Sequence, residues 1–261
     1  MAILILTSTS GSPGVTTLAV GLALSWPRPV LLADCDPGAH QSILAGYLAG
    51  LSASGKGLLR VAEAHRDGRV LRDVIIDQTI PLTSDAGPSR LFLPGFTKPG
   101  SASLFGGVWR ELSEAWDRLD DAGMDVIVDC GRMGAQGLPG PLVEHAACSC
   151  IVLESHLRSV MSARVHAPAF QEQARLSAAA KESAGLILVG EGAPYDRHEI
   201  AKALQLPVLG TVASDRTAAR HLSDGLPRPR TFDSSRLARS LQTTAGSLHA
   251  RLQQTSQRIG A

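Results

Sequence analysis

Short apolar runs separated by segments of helical periodicity restrict this chain to a narrow set of folds. The runs fall at 2–7, 29–33, 90–93, 126–129, 150–153, 186–189 and 208–210 and are rich in aliphatic and β-branched residues. Their apolarity is continuous rather than alternating, which is the pattern of strands covered on both faces. Between them, Phe105, Val108, Trp109, Leu112, Trp116 and Leu119 recur at helical spacing, so an amphipathic helix is predicted over 102–122. Asp196 and Glu199 have the spacing of a capping box and open a helix running to about Leu204, just ahead of the last strand. Strand and helix therefore take turns. Right-handed βαβ units of this kind assemble into an α/β domain, doubly wound, with a mostly parallel sheet of seven or eight strands and helices on both faces.

A chain of 261 residues suits one such domain. The short polar turn at 83–88 does not demand a boundary, and neither does the stiff Pro-rich connector at 226–230. The expected organisation is a main unit over 1–225, followed by a connector and terminal helix over 226–261 that packs on the same domain or on a partner. With 25 basic and 24 acidic side chains the net charge is +1, so no general attraction to nucleic acid is expected and DNA is not an expected partner. The opening apolar residues are too few to span a bilayer and follow no positively charged stretch, so the expected location is the cytoplasm. Cys35, Cys130, Cys148 and Cys150 do not form a disulfide framework, in keeping with a reducing compartment. Cys148 and Cys150 can share one strand face as metal ligands. With no second pair at ligand spacing, they read as buried thiols.

After the first strand come Thr7, Ser8, Thr9, Ser10, Gly11, Ser12, Pro13, Gly14, Val15, Thr16 and Thr17, and then a helical run from Leu18 to Leu24. A strand, a loop of small residues and a helix, in that order, aim free backbone N–H groups and a helix dipole at one point, where an anion can sit. By itself the loop also fits a tight strand-to-helix turn that meets no nucleotide. Val30 to Pro37 ends a second strand in Asp34-Cys35-Asp36-Pro37, which can equally be an Asx-type turn. Asp125 to Gly131 is an apolar strand that delivers Asp129 to its carboxyl end. Parallel strands bring these three segments to one sheet edge, as a nucleotide pocket requires.

The three motifs together resemble those of the ParA/MinD family of P-loop ATPases. The loop is similar to that family's deviant Walker A motif, with Gly11, Gly14, Thr16 and Thr17 on matching positions. Gly11, Ser12, Pro13, Gly14, Val15, Thr16 and Thr17 would then surround the phosphates. The resemblance implies ATP with Mg²⁺ as ligand, held weakly or not at all, with Thr16, Asp34 and Asp129 near the metal and Asp36 polarising the attacking water. Two family lysines have no counterpart: Ser10 stands at the position that reaches across a dimer, and Val15 at the one that grips the phosphates. Loss of the second charge should lower transition-state stabilisation by several powers of ten. Arg132, next to the Walker B strand, is a candidate substitute cation and equally fits an exposed loop arginine; Arg158 is a weaker candidate. Gly38 stands where relatives often carry glutamine.

Near the carboxyl end, the segments 191–195 and 206–215 are similar to the loops that frame adenine in the family, without the usual asparagine and with Ala213 where proline is common. The terminal helix carries Leu237, Leu241, Ala245, Leu248 and Leu252 on one side and several arginines elsewhere. It resembles the membrane helix of the MinD branch but lacks an aromatic anchor, so packing on the sheet or a partner is expected. The resemblance implies a cytoplasmic positioning or scaffold protein that hydrolyses ATP poorly, analogous to the TadZ/CpaE-like proteins of pilus machinery. Such a protein would have protein partners, with a homodimer among the assemblies the family pattern allows. It would reach the membrane periphery through a partner or weakly through its last helix. A partition-type ATPase using Arg132 and a DNA-binding partition protein are the competing functions.

Overall fold

The computed structural model describes residues 3–9, 14–85, 87–134, 137–176, 184–190, 192 and 194–259. Ser10, Gly11, Ser12, Pro13, Glu191 and Ala193 lie outside the described residues. An eight-stranded sheet runs through the molecule in the order β3-β4-β2-β5-β1-β6-β7-β8. Its strands are β1 (Ile3–Ser8), β2 (Val30–Asp34), β3 (Ile80–Pro81), β4 (Arg90–Leu93), β5 (Asp125–Arg132), β6 (Cys148–Glu154), β7 (Ala184–Val189) and β8 (Val208–Val212). All pairings are parallel except β3 with β4. β3 is a two-residue edge strand that the apolar pattern does not reveal.

The continuous apolar runs have a direct structural cause. Along β1, Ile3 and Ile5 enter one core and Leu4 and Leu6 the other, and β2 divides Leu31 and Ala33 from Val30 and Leu32 in the same way. One face is covered by α3 (Leu58–Arg66), α4 (Leu71–Val74), α5 (Val108–Asp121), α6 (Gly140–Glu144), α7 (Leu157–Ala174) and α8 (Arg197–Leu204). The other is covered by α1 (Val15–Ser25), α2 (Ser42–Ala45), α9 (Arg216–Ser223) and α10 (Arg236–Ile259).

The helix predicted over 102–122 begins instead with a 3₁₀ turn, Ser101–Phe105, and becomes α-helical at Val108. Gly106 and Gly107 separate the two segments, as residues with poor helix propensity would. The capping box at the start of α8 is formed: Asp196 accepts from the Glu199 N–H at 2.9 Å, and the Glu199 carboxylate accepts from the Asp196 N–H at 2.9 Å. Cys148 and Cys150 are buried with their sulfurs 3.8 Å apart.

In α10, Leu237, Leu241, Ala245, Leu248 and Leu252 are all buried in the core they share with α1. Leu241, 1% exposed, lies directly over Gly21 of α1. Leu241→Ala is expected to cost about 2–4 kcal/mol by leaving a cavity between these helices, measured by urea denaturation. An unchanged midpoint would mean that α10 is not part of the cooperative fold.

Candidate functional site

β1 lies at the point where the chain turns from building one half of the sheet to building the other, with β5 and β6 on its two sides. Crevices form beyond the carboxyl ends of strands at such a point. A cleft of about 590 Å³ opens there, walled by the start of α1, the β2 loop, the end of β5 and the end of α9. Gly14, Val15, Thr16, Thr17, Asp36 and Arg132 all border it. Arg158 sits on the first turn of α7 and is not among the described residues that line this cleft.

Hydrogen bonds to backbone carbonyls set this edge. Thr7 Oγ1 donates to the Gly131 carbonyl at 3.2 Å, the Met133 N–H to the Ser8 carbonyl at 2.8 Å, and the Cys35 N–H to the Asp129 carbonyl at 2.8 Å. Asp34 and Asp129 are register partners on adjacent strands, so their carboxylates are held side by side. The Asp36 N–H donates to Asp34 Oδ1 at 3.2 Å, which folds the loop back over the strand end. Gly131 completes the arrangement. Its φ of +57° favours glycine, and a Cβ there would stand 2.3 Å from Asp36 Oδ1, so the two loops touch only because no side chain intervenes.

Asp129 is fully buried and Asp34 only 7% exposed. Burial, and then the neighbouring charge of Asp129, pushes the Asp34 carboxyl up to about 8. Burial likewise raises Asp129 to about 6, although the Thr16 hydroxyl and the Gly131 N–H beside it favour its charged form. The Gly131 N–H reaches Asp129 Oδ1 at 2.9 Å, while the buried Oδ2 has no hydrogen-bond partner among the described residues. Burial also pushes up the Cys35 and Cys130 thiols, which keeps them protonated.

An unpaired buried carboxylate oxygen beside a threonine hydroxyl fits a nearby divalent cation. No group of three or more His, Cys, Asp or Glu among the described residues is placed to hold one alone. A metal here would need oxygens from a bound phosphate or from water as well, with Thr16, Asp34 and Asp129 around it. The fit to a polyphosphate is poorer. Val15 is 6% exposed and packs into the core around α1, so its side chain offers the cleft neither charge nor donor. Arg132 is exposed on the cleft wall.

Two contacts escaped sequence reasoning. His40 borders the cleft and its Nδ1 lies 2.6 Å from Asp36 Oδ2. Leu222 and Ser223, at the end of α9, close the cleft from the far side. Gly190, just ahead of the 191–195 segment, donates its N–H to the Val212 carbonyl of the 206–215 segment at 2.8 Å, and Asp215 caps α9, accepting from the Ala218 N–H at 3.0 Å.

Sheet order, the crevice at β1 and the acidic strand ends define a doubly wound α/β domain of nucleotide-binding architecture. Comparison with solved structures makes this more specific. The chain is similar to a chain of the MinC:MinD cell division protein complex of Aquifex aeolicus, with a TM-score of 0.70 at 18% identity over 96% of each chain. A ParA family ATPase from Chlorobium tepidum gives 0.68 at 16% identity, over 94% of this chain and 98% of that one. MinD of Pyrococcus horikoshii complexed with Mg-ADP gives 0.60 at 18%, over 94% of each. By sequence, no family model and no curated protein matches. The fold is that of the ParA/MinD P-loop ATPases.

Proposed function

We propose that this chain is a ParA/MinD-like positioning or scaffold protein that binds Mg-ATP weakly or not at all, hydrolyses it poorly and acts through protein contacts. The observation that carries this is Val15, an apolar, buried residue at the position where the similar ATPases carry their phosphate-gripping lysine. Without that charge, the γ-phosphate transition state loses its main countercharge within the chain. In this reading Gly11, Ser12, Pro13, Gly14, Val15, Thr16 and Thr17 surround the phosphates, Thr16, Asp34 and Asp129 serve the metal, and Asp36 faces the attacked phosphate. The process we favour is localisation of pilus or secretion machinery, as for TadZ/CpaE-like proteins, with protein partners and a homodimer as the working assemblies.

The protein would act in the cytoplasm and reach the membrane periphery through a partner. No helix among the described residues is long and apolar enough to cross a membrane, and the apolar face of α10 is buried. A net charge of +1 gives little basis for DNA binding. A second reading, a partition-type ATPase, is favoured by Arg132, which borders the same cleft and could supply the missing cation.

Phosphate release by the purified chain with Mg-ATP separates the two. Turnover at the assay background is expected. Brisk turnover abolished by Arg132→Ala would overturn the scaffold reading in favour of the ATPase.

A further inference from the structure

The cleft has a deficit of positive charge. Among its described lining residues, the groups able to carry such a charge are Arg132 and His40, with Asp36 as the acidic group on the wall. His40 is held in place rather than merely near. Its Nδ1 meets Asp36 Oδ2 at 2.6 Å, and Asp36 Oδ1 accepts from the Gly38 N–H at 2.9 Å. The imidazole also lies directly on Gly38: a Cβ at residue 38 would stand 2.2 Å from His40 Cε1 and 2.6 Å from Nδ1. A side chain at 38 would therefore displace the ring from the position in which it now meets Asp36.

Because Nδ1 faces the carboxylate, the Nε2 edge is the one left to project from the pair. The side chain is 69% exposed, against 15% for Asp36, so the imidazole stands proud of the carboxylate that anchors it. We propose that His40, anchored on Asp36 and seated against Gly38, donates Nε2–H to the terminal phosphate of a bound nucleoside triphosphate, supplying from the β2 loop the charge that Val15 does not supply from α1. The proposal rests on the nucleotide reading of the cleft and deepens it. It also accounts for slow hydrolysis in a new way: with Oδ1 on Gly38 and Oδ2 on His40, both Asp36 oxygens are already engaged and poorly disposed to polarise water.

With Nδ1–H given to the Asp36 carboxylate, Nε2 of His40 is a donor only in the imidazolium form, so the contact brings the charge of the ring with it. The titratable or charged side chains bordering the cleft with it are Asp36 from its own loop and Arg132 from the end of β5. The described lining residues of α1 and α9 contribute none.

The test is calorimetric titration of the full chain with Mg-AMPPNP for the wild type, His40→Ala, His40→Arg and Gly38→Gln. The wild type and His40→Arg are expected to bind about tenfold more tightly than His40→Ala and Gly38→Gln. Thermal unfolding of each variant checks that it is folded. If the wild type binds and His40→Ala binds equally well, the role of His40 is overturned while the nucleotide site stands. If the wild type binds nothing, the nucleotide reading falls and this inference with it.

Discussion

Val15→Lys is expected to tighten Mg-ATP binding by about one to two orders of magnitude. A charge-assisted hydrogen bond to a phosphate oxygen contributes roughly 1.5–3 kcal/mol, and each 1.4 kcal/mol is about tenfold in affinity. Val15 borders the cleft as well as the core, so a lysine there can run its methylenes along the apolar neighbours and extend its ammonium toward the opening. The substitution has a cost. Val15 is 6% exposed, and exchanging it should lower stability without nucleotide by roughly 1–2 kcal/mol. Saturating Mg-ATP should restore that loss by mass action. Turnover should stay slow, since Ser10 still lacks the charge that the family's other lysine carries across a dimer. Calorimetric titration and thermal unfolding report both effects. A cooperatively folded Val15→Lys protein with unaltered affinity would remove the charge deficit as the explanation of this site.

The second large effect concerns pH. With chelator present, the stability of the chain is expected to fall as pH rises from 5 to 8. Asp34, raised from an ordinary 3.8 to about 8, holds its proton more tightly when folded than when unfolded. Such a group contributes stability that is complete below the unfolded value and is lost as pH climbs through the folded one. Asp129, raised to about 6, loses its share over a lower interval. Other groups titrate in this range too, so the informative quantity is the difference between the wild type and Asp34→Asn. That variant should be more stable at pH 8 by about 2–4 kcal/mol and nearly equal at pH 4, with a flatter profile between. Urea denaturation at several pH values measures it. Parallel profiles would mean that Asp34 is ionised throughout and that the strand ends are wetter than their burial indicates. A divalent cation bound beside Asp129 would reduce the slope, because it favours the ionised carboxylates.

Much of the architecture is legible in the order of the amino acids, because burial on both sheet faces leaves a plain mark. Each of the seven apolar runs is a strand, since a strand that separates two cores needs apolar side chains on both of its sides. The pattern fails where burial is partial. β3 has only two residues, one exposed, and pairs antiparallel at the sheet edge. The helices α2 and α4, between β2 and β3, have four residues each, too few for a helical period to show. The site shows the same division. Asp34, Asp36 and Asp129 stand out as strand-end carboxylates, whereas His40 carries no local signal because its role depends on a contact with Asp36 and on space left by Gly38.

Primary structure alone determined the alternation of strand and helix, the ordering of the phosphate loop and the acidic strand ends, and the absence of lysine at 10 and 15. These are properties of residue type and spacing along one dimension. Only the folded chain decided that Asp34 and Asp129 share a buried edge, that Val15 turns into the core, that α10 covers α1, and that His40 rests on Asp36. Those outcomes depend on the register of non-adjacent strands and on desolvation, which arise when distant segments exclude water from one another.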